Sequence, residues 1–592
     1  MAEKLNVADI KANIEKPNYE VDYATPQDDS ALFLPSISSL YVKHVSKDEK
    51  TIRNGILPEG MSGIDDLDFL NPEKGIFWYP WALYSAGHAQ LDLTKTDIQE
   101  RMVQKRQKDR TFILADSGGY QLSTGVLHGN MGDLDSMEED TASLRHKIMK
   151  WCEYTADFSM ILDIPTTSCT NPKSFIYKQY GPEKGFTDRD RFYKCLEYTV
   201  KNCAYYMKHR TPGATKMLNV LQGRDINAEG TGENDIWYAV VKHFNTPTAS
   251  LKDIKEIYNQ KLDEYGSDKI GKFDIVDGDE EPFGDRAFEG WAIPGNLKFD
   301  FPMMIKRFKI MDEEGFFKNT GENLLIHFLG ISRISAGLLY TTLQNEMRKH
   351  INPNIIITYD AASPFVCTAK GKGYGEFTVN SKKLTYAMNT LPDRKYESRS
   401  QALAQQEKEA DLKKKSTIGE HSVWDLFEDS KKPIDPMNIP LEYSRNQDPW
   451  HDHHKTSAII DGQNGEKEEV IYPTTLGKRL TVGDICCKTW EDESKSFWDG
   501  TSYVFIMNMN VEQHIRAIQL ALQFFKLPVN EMRNHLPKSI IDGKIMLEDV
   551  VSNHFDISKT PWELKDFNKI LGMSPDQPAS EFDVFESEET GF

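Results

Sequence analysis

Up to about residue 380 the chain alternates short apolar runs with longer polar, helix-like stretches. That alternation is the signature of βα units built around a parallel sheet. Seven runs read as strands: 75–87, 111–119, 158–167, 216–225, 288–297, 324–332 and 355–364. Runs that are apolar without a break suit strands covered on both faces. Each is followed within a few residues by Gly, Pro, Ser or Thr, and each carries a polar residue at its C-terminal end. Seven units and a less distinct eighth predict an α/β fold, a (β/α)8 TIM-type barrel with insertions. A doubly wound sheet is the alternative, but no G-x-G-x-x-G opens any of the helices.

Beyond Gly375 the pattern changes. Residues 1–380 are assigned to the barrel, and 381–436 to a charged linker or solvated helix, with basic and acidic residues nearly matched in DRKYESRSQALAQQEKEADLKKKS. A C-terminal domain of the α+β kind is predicted over 437–570. It holds TSYVFIMNMN (501–510) and VEQHIRAIQLALQFFKL (511–527), the latter apolar at helical spacing. Residues 571–592 form an acidic tail without Lys or Arg.

Composition narrows the setting. The net charge of −20 argues against indiscriminate binding to a nucleic-acid backbone, while leaving room for a local basic groove. Seven scattered cysteines, of which only Cys486 and Cys487 adjoin, fit a reducing cytosol and predict a cytoplasmic protein. The N-terminal MAEKLNVADIKANIEKPN lacks the apolar segment of a signal peptide, and no run of about 18 apolar residues is present.

The chemistry gathers at the predicted strand ends. FILADSGGYQLSTG (112–125) ends its apolar run on Asp116 and Ser117, then turns through Gly118 and Gly119 into Tyr120. Taken singly, such an aspartate reads as a turn or cap residue. The pattern recurs, however, with Asp163, Gln222, the Gly295–Asn296 backbone and Asp360 each at the end of a run. A barrel brings all of these to one mouth. Two carboxylates, an amide and free backbone N–H groups suit glycosidic chemistry on a purine nucleoside. One carboxylate attacks the glycosidic carbon, the other moves a proton on the leaving base, and the remaining groups read the purine edge. Tyr120 supplies an apolar clamp for the base.

ADSGGYQ, LDIPTT, LQG, WAIPGNL, FLGIS and TYDAASP stand in the order of the motifs of tRNA-guanine transglycosylases. Over roughly residues 75–365 the chain resembles that superfamily of (β/α)8 barrels, which exchange guanine for a 7-deazaguanine base. The resemblance implies that Asp360 is the nucleophile that bonds to C1′ and that Asp116 is the general acid/base. It places Asp163 on the purine N1 and N2 donors and Gln222 with Gly223 on the carbonyl oxygen. Gly295 and Asn296 lie beside the 7-substituent, although Asn296 stands where the family usually has Leu. Tyr120 and Leu329 sandwich the base, Ser117 joins the base-binding set, and Ser85 and His88 match an early substrate loop. No redox or nucleotide cofactor is implied.

Two departures redirect the substrate. The family's zinc motif, C-x-C-x-x-C with a later His, is missing: Cys367 stands alone and Cys486–Cys487 are wrongly spaced, so no metal is expected. HDHH (451–454) reads as a surface histidine cluster. Where the tRNA enzymes carry Leu-Pro-Thr-Arg, this chain has Pro364–Phe365 with no Arg nearby. These departures make it more similar to the related 7-deazaguanine DNA transglycosylases of bacteria and bacteriophages, implying DNA and a free 7-deazaguanine base as partners. A homo-oligomer or modification-system partner proteins are compatible with that reading. Lys370, Lys372, Lys382, Lys383, Arg394 and Lys395 are the candidate DNA track, with solvated surface lysines as the plain alternative. Competing functions are a tRNA-guanine transglycosylase, a non-catalytic nucleic-acid-binding subunit of that family, and a sugar-directed barrel glycosidase.

Overall fold

The computed structural model describes residues 30–47, 57–58, 61–127, 138–223, 235–266, 268–276, 278–294 and 301–390. It also describes 457–461, 467–471, 476, 480, 482–485, 498–563 and 566. Eight parallel strands close a barrel in sequence order. They are β1 (Leu32–Ile37), β2 (Trp81–Ser85), β3 (Phe112–Asp116), β4 (Phe158–Met160), β5 (Lys216–Val220), β6 (Gly290–Ile293), β7 (Leu324–Phe328) and β8 (Ile355–Ala361). Each of the seven apolar runs contains one of β2 to β8. The less distinct eighth is β1, which closes the ring by pairing with β8 in the register Leu34↔Asp360. Its sequence LFLPSI carries Pro35, a residue that counts against a central strand because it lacks a ladder donor.

Several helices start where a side chain satisfies a first-turn N–H group. Helix α1 (Gly119–Thr124) follows β3 directly, and α2 (Leu144–Thr155) is capped by Ser143. Helix α3 (Asp188–His209) opens with a reciprocal Thr187/Asp190 box, and α4 (Leu251–Tyr265) with Ser250/Asp253. Helices α5 (Phe301–Glu313) and α6 (Ile334–His350) flank β7 in sequence. Trp151, Trp237 and Trp291 are fully buried, as are Tyr84, Tyr193, Tyr205 and Tyr206.

The chain divides into two compact units, and the division is not the sequential one expected. The barrel unit takes 24–39, 81–361 and 542–592, and the second unit takes 1–23, 40–80 and 362–541. The boundary expected at 380 therefore falls at 361. The linker expected from 381 opens instead on regular structure, since β9 (Lys372–Val379) and β10 (Leu384–Thr390) form an antiparallel hairpin. Asn380 drives that turn: its Oδ1 accepts the backbone N–H groups of Lys382 and Lys383 at 2.9 and 2.8 Å. Strands β11 (Ser457–Asp461) and β12 (Lys467–Ile471) complete a sheet of order β10-β9-β11-β12. The rest of the predicted linker (391–436), HDHH and the acidic tail lie outside the described residues.

Within the second unit, α7 (Ser363–Ala369) precedes β9, and α8 (Gly500–Phe525) is one continuous helix. TSYVFIMNMN is its first half rather than a separate element. Asn510 on α8 gathers its surroundings: its Nδ2 donates to the Pro364 carbonyl at 3.1 Å and to Thr368 Oγ1 at 3.0 Å, while its Oδ1 accepts Tyr374 N–H at 2.9 Å. Asn508 donates to Tyr41 Oη at 2.8 Å, tying residues 40–80 to the same helix. Cys367 is buried beside Asn510, 3.3 Å from its Nδ2. Helix α9 (Lys538–Ser552) begins in this unit, and its residues from 542 on belong to the barrel unit. Among the described residues no helix is long and apolar enough to cross a membrane.

Candidate functional site

All eight strands point the same way, so residues at their C-terminal ends share one mouth of the barrel. Asp116 is the last residue of β3, and Asp360 sits near the end of β8. Asp163 follows β4 by three residues, Gln222 follows β5 by two, and Leu329 follows β7 directly. The carboxylates lie close enough to feel one another. Asp360 raises the pKa of Asp116, and Asp116 raises that of Asp163. Asp116, Asp163 and Asp360 therefore share one neighbourhood at the mouth.

Asp116 is held by its neighbour across the sheet. The β2–β3 register places Ser85 opposite it, and Ser85 Oγ donates to Asp116 Oδ2 at 2.7 Å. Ser85 Oγ in turn accepts the Gly87 N–H at 3.1 Å. Burial pushes the Asp116 carboxyl above the usual carboxylate range, and the Asp360 charge adds to this. The bonds from Ser85 and the Gly118 backbone, and the nearby His88, oppose it. A carboxyl set this way is better able to carry a proton at neutral pH than a solvated aspartate.

The double glycine after Asp116 is a packing requirement. Gly118 has φ +78°, and a Cβ there would meet Gly87 N at 2.6 Å and Gly87 Cα at 2.7 Å. A Cβ on Gly119 would run into the Asp163 carbonyl oxygen. The β2, β3 and β4 loops are thus brought together by the absence of side chains. Ser117, between Asp116 and these glycines, is fully buried, and its hydroxyl has no hydrogen-bond partner among the described residues. Tyr120 and Leu329 are half-buried at the rim.

Asp163 and Gln222 form a pair. Gln222 Nε2 donates to Asp163 Oδ2 at 2.8 Å, and Thr166 Oγ1 donates to Gln222 Oε1 at 3.4 Å. The Gln222 amide, expected to meet a purine carbonyl, is spent on Asp163 in the free site. Burial dominates at Asp163 and pushes its carboxyl up to about 7, the Asp116 charge adding to the shift and the Gln222 bond opposing it. An aspartate in an unfolded chain ionises near pH 4, so this group costs folding stability as the pH rises from about 4 to about 7, with a flat curve above. The cost runs at about 1.4 kcal/mol per pH unit crossed. In thermal melts, Asp163→Asn is expected to gain on the wild type through that window and to hold a constant lead above pH 7. Parallel curves throughout would rule out a carboxyl buried in this way.

Two groups that the sequence did not single out complete the site. Arg307 on α5 and Asp235 form a buried ion pair, each about 2% exposed. Arg307 Nη1 donates to the carbonyls of Leu221 and Gln222 at 2.7 and 3.3 Å. Gly223 packs against the same guanidinium, where a Cβ would stand 2.6 Å from Nη2. A charged pair 72 residues apart thereby fixes the Gln222–Gly223 turn. The second group is His327 on β7, inside the apolar run LLIHF, where sequence pattern reads it as core. It is fully buried, with Nε2 3.3 Å from Asp360 Oδ1.

Gly295, Asn296, Arg394, Lys395, Cys486 and Cys487 lie outside the described residues. Lys370, Lys382 and Lys383 are exposed and Lys372 half-buried, all in the second unit.

Fold and mouth together define a (β/α)8 barrel whose strand ends carry three neighbouring carboxyl groups beside an amide. The sequence matches no protein-family model, and no curated protein matches it. The residues themselves therefore carry the functional argument.

Proposed function

We propose that this protein exchanges guanine in DNA for a 7-deazaguanine base, such as 7-cyano-7-deazaguanine, through a covalent aspartyl-nucleoside intermediate. The observation that carries the reading is the division of labour among the mouth's carboxyl groups. Asp360 is the nucleophile. Asp116, its carboxyl raised and held by Ser85, delivers a proton to the departing guanine and takes one from the incoming base. Two displacements at C1′, each with inversion, return the new base to the face that guanine left, so configuration is retained. Asp163, once ionised, accepts the N–H donors of the purine Watson–Crick edge, and the Gln222 amide turns from Asp163 to the purine carbonyl.

Ionisation of Asp163 on base binding releases a proton, so the KM for free base is expected to fall as the pH rises from 6 to 8. Asp163→Asn should lose that dependence. A KM independent of pH in the wild type would remove Asp163 from base reading.

DNA is preferred to tRNA because the chain lacks the zinc-binding cysteine motif and the arginine after the nucleophile. The direct test follows label released from guanine-labelled DNA or tRNA during incubation with excess 7-cyano-7-deazaguanine. Release from DNA supports the proposal. Release from tRNA alone reassigns the substrate, and release from neither favours a binding subunit. If the β9–β10 turn lies on the DNA track, replacing both Lys382 and Lys383 by Glu should weaken DNA binding at low salt by at least about tenfold. Unchanged binding would remove these lysines from the track.

A further inference from the structure

Asp360 presents two unequal oxygens. Gly330, at φ +65°, directs its N–H onto Oδ1 at 2.7 Å, and the Ile331 N–H takes the Asp360 main-chain carbonyl at 2.6 Å. His327 lies on the same side, its Nε2 3.3 Å from Oδ1. Among the described residues Oδ2 takes no hydrogen bond.

The ring's other nitrogen decides what His327 offers. Nδ1 lies 2.8 Å from Thr358 Oγ1, and both residues are fully buried. With the threonine hydroxyl donating to Nδ1, the ring hydrogen sits on Nε2, toward Asp360. A doubly protonated ring also places N–H on Nε2. Only the Nδ1–H tautomer turns a lone pair toward the carboxylate, setting two acceptors face to face beside a fully buried ring, an arrangement that burial penalises. In the free structure Nε2 has no aligned hydrogen-bond partner, although it is fully buried. A buried polar atom of this kind is completed by a small movement of the group it faces, and hydrogen bonds that serve catalysis often tighten only in the complex.

We infer that His327 is a positioning residue that donates from Nε2 to Asp360 Oδ1, so that Gly330 and His327 together hold Oδ1 and leave Oδ2 as the attacking oxygen. The inference rests on the transglycosylase reading above. In the first step Oδ2 bonds to C1′ while the C1′–N9 bond breaks, and its electron pair leaves with guanine, which takes the Asp116 proton. Oδ1 then becomes the ester carbonyl. In the second step N9 of the incoming base gives its proton to Asp116 and bonds to C1′. The C1′–Oδ2 bond breaks and its electron pair returns to the carboxylate, where the two N–H donors stabilise the charge. His327 therefore acts on both steps through the orientation of one carboxylate, without touching the substrate.

Three variants and a spectroscopic measurement test this. His327→Leu should lower kcat for base exchange by about 10–100-fold with little change in KM for free base, as expected for loss of one charge-stabilising donor. His327→Gln, whose amide nitrogen reaches the place of Nε2, should recover at least about tenfold of that loss. Thr358→Val, which frees the tautomer, should fall between the two. A Leu variant within about twofold of wild type overturns the proposal, as does a Gln variant no better than Leu. Independently, ¹⁵N NMR of histidine-labelled full-length protein, with the resonance assigned by its loss in His327→Gln, should show hydrogen on Nε2 and a shift of that signal in Asp360→Asn. A bare Nε2 overturns the proposal even in the absence of any assay. If the wild type exchanges no base on DNA or tRNA, the transglycosylase reading fails, and the NMR result still decides whether His327 holds Asp360.

Discussion

Asp360→Ala is expected to abolish both base exchange and the trapping of covalent adduct, with a loss of about 10⁴-fold or more. No other carboxylate of the mouth can take over. Asp116 is tied to Ser85, and its carboxyl is raised by burial and by Asp360 itself. Asp163 is paired with Gln222, and burial raises its carboxyl to about 7. Both carboxyls are more protonated at neutral pH than a solvated aspartate, which makes them poorer nucleophiles. The measurement is denaturing electrophoresis of protein incubated with guanine-containing DNA, followed by label release. Adduct formed by the Ala variant at near-normal rate would assign the nucleophile elsewhere. Asp360→Asn keeps the shape and the Gly330 contact, so it separates chemistry from folding.

The largest expected effect on stability lies at Arg307. Removing one partner of a buried ion pair leaves the other charge uncompensated and costs about 3–5 kcal/mol. Here the guanidinium also takes the carbonyls of Leu221 and Gln222, so its loss strands those acceptors as well. Arg307→Met should therefore shift the urea midpoint of the barrel far below that of the wild type. Tryptophan fluorescence is a suitable probe, because Trp237 is fully buried and donates to the Val220 carbonyl at 3.0 Å, next to the affected turn. Adding Asp235→Asn should restore a substantial part of the loss, since no buried charge then remains. If the single variant matches the wild type, the pair is not what holds the turn. At permissive temperature the single variant should also raise the KM for free base, because Gln222 follows the turn.

How far these features are legible in sequence depends on the range of the forces that build them. Seven strands were legible because parallel strands are apolar along their whole length, and β1 was not, because Pro35 interrupts a short run. Asp116, Asp163, Gln222 and Asp360 were legible because a barrel sends every strand end to one mouth. Ser117 is read as a base contact from its place beside Asp116, and in the fold it is fully buried next to the glycine turn. Arg307 and Asp235 carry no local signal, since neither belongs to a motif and only the fold brings them together. His327 is concealed in another way, as a polar residue in an apolar strand whose meaning depends on its neighbour across β8. The second unit was the least legible, because its members 40–80 and 362–541 are separated in sequence by most of the barrel.

The closing seam has a consequence for how the protein is made. Strand β1 leaves the ribosome first but has no partner on one side until β8 follows, and Ala31 N–H waits across 310 residues for Thr341 Oγ1. Contacts over such separations form slowly and late. Asp360 lies on that late strand, directly opposite Leu34. The aromatic contact of Phe555 with Phe308 and Phe317 comes later still in synthesis. A chain stopped near residue 380 thus emerges with its ring able to close but without this final wedge, whereas one beginning after β1 leaves the strand that bears Asp360 as a raw edge.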